Sequence, residues 1–472
     1  MGQFRAADLF RRKPVSRVVA EGGEHLPEEG LHRTIGLFQL TMLGVGATIG
    51  TGIFVALTTA VPAAGPAVIL SFVIAGITAA LTALCYAELA STIPVSGSSY
   101  SYAYATLGEF VAFMVGACLL LEYAVSASAI AVGWGQYLNE MFSDLIGWRM
   151  PDALAKAPGA GGVFNLPAVV LVGACLILLL RGVKESVTVN AILVVLKLLV
   201  LLFFVVIAFS GFHAGNLQPF APMGMAGVGA AASSIFFSYI GIDAVSTAGD
   251  EVKDPRRTLP LGIVLSLLIV TGVYILVALA AVGAQPWTAF AGQEAGLAVI
   301  LRNLTGQAWT SLVLCVGAIV SIFSITLVVM YGQTRILYTM SRDGLLPKVF
   351  QRVNPRTQSP DLNTWIVAAF IAVLAAFVPL DTLVNVTSMG TLIAFAIVSL
   401  GVIILRRTQP DLPRGYRVPF SPVVPLISVG FCVYLIVKLP LDTWLLFAAW
   451  ATAACAVYFG YSIRRSRLNI VS

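Results

Sequence analysis

The chain has 472 residues, 58% hydrophobic and 11% charged, with a mean hydropathy of +0.93. A soluble domain carries roughly 25% charged residues, so the composition excludes one and describes an all-α polytopic membrane protein in contact with membrane lipid. The net charge of +6 is spread over loops rather than gathered on one face, so nucleic acid is not an expected partner.

Residues 1–34 are polar and include Arg5, Arg11, Arg12, Lys13 and Arg17. They lack the apolar stretch of a cleavable leader, so the first span is expected to act as its own insertion signal. A membrane span needs ~20 apolar residues. Twelve transmembrane helices are predicted, over 36–61, 66–90, 108–140, 165–181, 186–212, 226–249, 260–283, 308–340, 362–379, 382–405, 422–438 and 442–463. With the N-terminus in the cytoplasm, inner segments hold 22 lysines and arginines, and outer loops hold 4 (Arg149, Lys156, Arg302 and Lys438). That bias predicts a multi-pass protein of the cell inner (plasma) membrane with both termini cytoplasmic.

The expected organisation is a cytoplasmic segment 1–34, a first half 35–212 with spans 1–5, and a second half 226–406 with spans 6–10. Spans 11 and 12 follow in 422–463, and 464–472 form a cytoplasmic tail. Five spans per half force the second copy to insert inverted relative to the first.

Span 1 contains a glycine-spiked run, Gly44-Val45-Gly46-Ala47-Thr48-Ile49-Gly50-Thr51-Gly52-Ile53-Phe54. Each glycine costs about 1 kcal/mol of helix stability relative to alanine. Unwound backbone at bilayer depth is tolerated only where protein buries it or it lines a cavity. The run predicts a helix that stops near Ala47 and restarts near Gly52. The restarted half would offer free amides to a carboxylate, and the first half would offer carbonyls to an ammonium. The competing reading is a close-packing face built on Gly46 and Gly50.

Span 3 carries one charge far from its ends, Glu122, within Leu119-Leu120-Leu121-Glu122-Tyr123. It can hydrogen-bond neighbouring helices, face a pocket or exchange protons. Span 5 carries Lys197 near its middle, flanked by more than two turns of apolar residues. A lone charge at the bilayer centre costs roughly 2.5–3.5 kcal/mol. Removal from water penalises the ammonium, so a lysine here can release and rebind a proton during a transport cycle. Proton coupling is therefore assigned to Lys197, with Glu122 as a second candidate.

Span 6 is interrupted at Phe236-Phe237-Ser238-Tyr239-Ile240-Gly241-Ile242-Asp243. Carbonyls near Phe237, Ser238 and Ile240 can face an ammonium, Gly241 supplies the bend, and Phe237 is placed to cap a ligand. Asp243 is expected to cap the restarted helix. Breaks at matching positions of two halves point to a transporter's binding site. The expected substrate site is therefore Thr48, Ile49, Gly50, Thr51 and Gly52 with Phe237, Ser238, Ile240 and Gly241, suited to an L-amino acid zwitterion.

Enzymatic signatures are missing. His25, His32 and His213 fall in polar or loop segments, the six cysteines sit in apolar segments without paired spacing, and no phosphate loop occurs. Neither a cofactor nor a metal site is expected.

Several stretches together resemble a bacterial member of the amino acid–polyamine–organocation superfamily, close to its cationic amino acid transporter family. They are Leu31–Gly36, Gly44–Val55, Ala87–Ala90 with Ile93–Tyr102, Gly241–Asp243 with Glu251–Pro255, and Met340–Pro347. The resemblance implies the LeuT-type 5+5 inverted repeat with broken helices 1 and 6, alternating access, and substrate held between those helices. It also implies that a lysine in span 5, matched by Lys197, replaces a sodium ion found in sodium-coupled relatives. Glu122 matches a transport-linked carboxylate in span 3. Relatives that carry arginine and lysine have a small residue at a pocket-facing position of span 8, where this chain has Phe323. A phenyl there would shorten the pocket. The resemblance thus implies proton-coupled import of small neutral amino acids such as alanine, with uptake or exchange of arginine, lysine or ornithine as the alternative.

Overall fold

In a computed structural model of the chain, residues 11–13, 35–93, 98–182, 187–241, 245, 252–354 and 359–470 are described. The described residues are overwhelmingly helical. The first predicted span is two helices, α1 (Leu37–Thr48) and α2 (Thr51–Ala64), followed by α3 (Val68–Thr92). After the short α4 (Ser98–Thr106) come α5 (Glu109–Ile146), α6 (Leu166–Leu180) and α7 (Val187–Ser210). The second half has α8 (Gly224–Ile235), α9 (Pro255–Ala284), α10 (Gly296–Thr305), α11 (Ala308–Arg342), α12 (Asp361–Phe377) and α13 (Leu380–Thr408). Helices α14 (Val423–Val437) and α15 (Leu441–Val457) close the bundle.

Among the described residues, seven helical segments are long and apolar enough to cross a bilayer by length and composition, including Gly52–Thr92 as one run. Five shorter apolar helices accompany them: α1, α6, α10, α12 and α14. Each predicted stretch overlaps helix among the described residues. In predicted span 6, residues 242–244 and 246–249 lie outside the described residues, and the α-helix ends at Ile235. The reason is local. A 3-10 turn (Phe236–Tyr239) follows α8, Ile240 is extended (φ −63°, ψ 143°), and Gly241 has φ +95°. That last conformation is one glycine reaches without a Cβ penalty.

Helix α5 runs through the middle of the bundle and packs along α11, α13 and α12, while α9 packs on α3 and α1. Small residues let the helices approach. A Cβ on Gly317 of α11 would lie 2.5 Å from Val200 of α7. One on Gly262 of α9 would lie 2.7 Å from Leu40 of α1.

Charges buried at the helix ends are paired, as burial of a charge demands. Glu88 is 1% exposed. It accepts from Arg406 Nε at 2.7 Å and the Val418 amide at 2.7 Å. Glu109 accepts from Ser466 Oγ at 2.5 Å and Tyr458 Oη at 3.3 Å, and Arg11 lies 3.7 Å away. Asp343 receives Lys13 Nζ at 3.1 Å and Tyr100 Oη at 2.7 Å. Residues 11–13 and the last turns of the chain are therefore pinned to the same ends of α5 and α11.

Candidate functional site

The first break lies at Ile49-Gly50, with α1 ending at Thr48 and α2 beginning at Thr51, a residue from where the sequence puts each end. Ile49 has φ −75° and ψ 86°, and Gly50 has φ −131° and ψ −135°. The turn is tight, since the Gly50 amide bonds back to the Thr48 carbonyl at 2.9 Å. The first turn of α2, with Thr51 and Gly52, presents amides that have no intrahelical acceptor.

The carbonyls that α1 frees are largely claimed from within. Lys197 Nζ donates to the Gly46 carbonyl at 3.2 Å, and the lysine is 2% exposed. Tyr274 Oη of α9 donates to the Thr48 carbonyl at 2.8 Å. The ammonium that sequence reasoning would bring to these carbonyls from a ligand is thus supplied, at Gly46, by the protein itself.

Each glycine of the run faces a different neighbour. A Cβ on Gly44 would meet Ser266 of α9 at 2.7 Å, and one on Gly46 would meet Val194 of α7 at 2.5 Å. One on Gly50 would overlap Ile325 of α11, and one on Gly52 would come within 2.5 Å of the Ser238 Cα. Close packing and a broken helix therefore coincide in the same glycine-rich stretch, Gly44–Phe54.

The second break is brought directly against the first. Besides the Gly52–Ser238 approach, Gly241 backs onto the Ala47 carbonyl, where any Cβ would collide. Tyr274 joins the two, because its hydroxyl also reaches the Ser238 carbonyl at 2.9 Å. Its ring packs edge-on to Tyr239, with centroids 5.5 Å apart. Phe237 is 4% exposed, and Ile240 sits at the margin of the same core. The Ser238 hydroxyl is buried without a hydrogen-bond partner among the described residues, a state that costs about 1–3 kcal/mol. Asp243 lies outside the described residues.

The structure thus brings Thr48, Ile49, Gly50, Gly52, Ser238, Gly241 and Lys197 into one neighbourhood. Glu122 is placed differently. It is 1% exposed on α5, where Gly390 of α13 leaves room for its Cβ, 3.8 Å from where a Cβ on Gly390 would project. Phe323 lies on α11. It is half-buried at the edge of the core, two residues before Ile325 and so about 200° round the helix from it. The α11 side chain at Gly50 is Ile325, 5% exposed.

Tyr274, Ile325 and Tyr137, whose hydroxyl donates to the Phe54 carbonyl at 2.9 Å, escape sequence reasoning. The only signal of the two tyrosines is a phenol inside an apolar span, and a buried tyrosine usually finds a partner for its hydroxyl; Ile325 carries none. Tyr274→Phe removes the one O–H that the buried Thr48 and Ser238 carbonyls share. At about 1–3 kcal/mol per lost partner, the melting temperature of the purified protein should fall by several degrees. An unchanged melting temperature would show that the bridge contributes nothing.

The fold and the abutting helix interruptions describe a polytopic helical membrane protein, and the family match makes it a permease. The chain belongs to the amino acid permease family, whose model matches residues 35–460, within the amino acid–polyamine–organocation superfamily. It is 43% identical over 467 residues to a methylthioribose transporter of Bacillus subtilis (98% of this chain, 100% of that one). It is also 43% identical over 465 residues to a branched-chain amino acid permease of the same bacterium (98% and 99% covered). Against a vacuolar cationic amino acid transporter of Arabidopsis thaliana the identity is 38% over 414 residues, 85% of this chain and 68% of the relative.

Proposed function

We propose that this permease imports neutral L-amino acids, alanine and the slightly larger branched-chain ones, driven by protons and working by alternating access. The observation that carries the reading is Lys197 donating to the Gly46 carbonyl at the first break. Protonation of that one group bears directly on the backbone that would hold the substrate's α-carboxylate. In the proposed site the amides of Thr51 and Gly52 take the carboxylate, and the second break, with Ser238, takes the α-ammonium. Phe237 closes over the ligand, and Glu122 serves as a second protonation site. The architecture proposed with it is twelve spans in a LeuT-type 5+5 repeat, with both termini cytoplasmic in the plasma membrane.

The branched-chain permease among the relatives supports a neutral side chain. The cationic transporters keep arginine and lysine as the alternative, and the methylthioribose transporter adds a non-amino-acid candidate. A thermal-shift screen over the twenty L-amino acids and methylthioribose separates them, because a ligand at 100 times its Kd stabilises the folded state by about 2.7 kcal/mol. Alanine, valine and leucine are expected to raise the melting temperature and arginine to leave it unchanged. A response to arginine or methylthioribose alone would overturn the reading. Repeating the screen on Phe323→Ser and Ile325→Ala distinguishes the two α11 residues. Gain of arginine by the first makes Phe323 the selector, and a shift from alanine toward leucine in the second makes it Ile325.

A further inference from the structure

Helices α3 and α14 leave between them an apolar cavity of about 500 Å³, lined by Ile74, Ile427, Gly430, Phe431 and Tyr434. It opens sideways from the bundle, with Ile427 44% and Tyr434 39% exposed. Gly430 creates the recess, since no heavy atom lies within 4 Å of where its Cβ would project. The volume is in the range of small-molecule sites, roughly 300–1,000 Å³.

At one end of the recess, Lys438 follows the last turn of α14, its ammonium 5.8 Å from the centre of the Tyr434 ring. The other three cations expected on the outer side are neutralised. Arg149 bonds Glu140, Lys156 reaches Glu294 at 3.2 Å, and Arg302 lies 2.5 Å from Glu140 and 3.1 Å from Asp144. Lys438 is the one of the four without a carboxylate partner among the described residues.

We infer that this recess binds an anionic phospholipid, one acyl chain lying along Ile74, Ile427 and Phe431 and the phosphate meeting Lys438. Basic side chains near the membrane surface attract anionic headgroups, and tyrosine suits the boundary between tail and headgroup. A zwitterionic lipid offers the same tail without net charge for the lysine. The site touches the transport machinery on its inner side. The Tyr434 hydroxyl packs over Gly229 of α8, 2.7 Å from where a Cβ would sit. Ser233 Oγ of α8 donates to the Leu435 carbonyl at 2.7 Å. An occupied recess therefore braces the helix that ends in the second break.

The test is the melting temperature of the delipidated full chain in neutral detergent, with phosphatidylglycerol or phosphatidylcholine of identical acyl chains added. Phosphatidylglycerol is expected to raise it about 3 °C more than phosphatidylcholine. Lys438→Gln should remove that difference and keep the shared acyl effect, and Gly430→Trp should fill the recess and remove both. Equal responses of the wild type to the two lipids, or an intact phosphatidylglycerol preference in Lys438→Gln, would overturn the site. Lys438→Gln changes only an exposed side chain, so it decides the matter even where Gly430→Trp does not fold.

Discussion

Proteoliposomes carrying Lys197→Met are expected to lose the proton-driven accumulation of labelled alanine while still exchanging alanine down its own gradient. The lysine is 2% exposed, and its ammonium bonds the Gly46 carbonyl at 3.2 Å. A hydrogen bond to a charged group contributes about 1.5–3 kcal/mol, so gain or loss of one proton there biases the end of α1 by up to about a hundredfold in population. Methionine keeps most of the volume and none of the charge, so packing against α1 survives and the switch does not. Wild-type accumulation ratios in this variant under an inward proton gradient would show that Lys197 is structural and that coupling resides elsewhere, with Glu122 next in line.

Gly52→Val is expected to abolish substrate binding. Its Cβ would lie 2.5 Å from the Ser238 Cα and 2.7 Å from its Cβ, so it collides with backbone rather than with a side chain able to rotate away. Overpacking a tight site costs typically 1–3 kcal/mol, and here the strain separates the two breaks that together form the proposed pocket. A loss of about a hundredfold in affinity corresponds to 2.8 kcal/mol and would be read as the disappearance of the ligand-induced thermal shift. Gly173→Ala, whose Cβ would meet no heavy atom within 4 Å, is the matched control and should bind as wild type. Retained binding in Gly52→Val would mean that the substrate does not sit between the breaks.

Much of the fold is legible along the chain because its determinants are local. Hydropathy over ~20 residues marks helices wherever lipid forbids unpaired backbone, and among the described residues seven helical segments are long and apolar enough to be such windows. The breaks at Ile49-Gly50 and Phe236–Gly241 are equally local, written in glycine and in the loss of apolar continuity. Ile325 shows where such reading stops. Alignment along a helix gives the residue but not its azimuth, and a shift of two positions turns a side chain by about 200°, which is the difference between Phe323 and Ile325. Tyr274 shows the same limit from another side. A phenol in an apolar span looks like any core aromatic until its hydroxyl is found on carbonyls of Thr48 and Ser238, residues 226 and 36 positions away.

What the amino-acid sequence by itself determines about this permease is therefore its class, its helices, the positions of its two breaks and the presence of a costly charge at Lys197. Only the tertiary structure decides that the breaks touch, that Lys197 and Tyr274 take the carbonyls of Gly46 and Thr48, and that Ile325 meets Gly50. The physical reason is that helix formation depends on neighbours within about four residues. The partners of a freed carbonyl or a missing Cβ come instead from other helices, far beyond that range along the chain, and no local property of the chain encodes which one arrives.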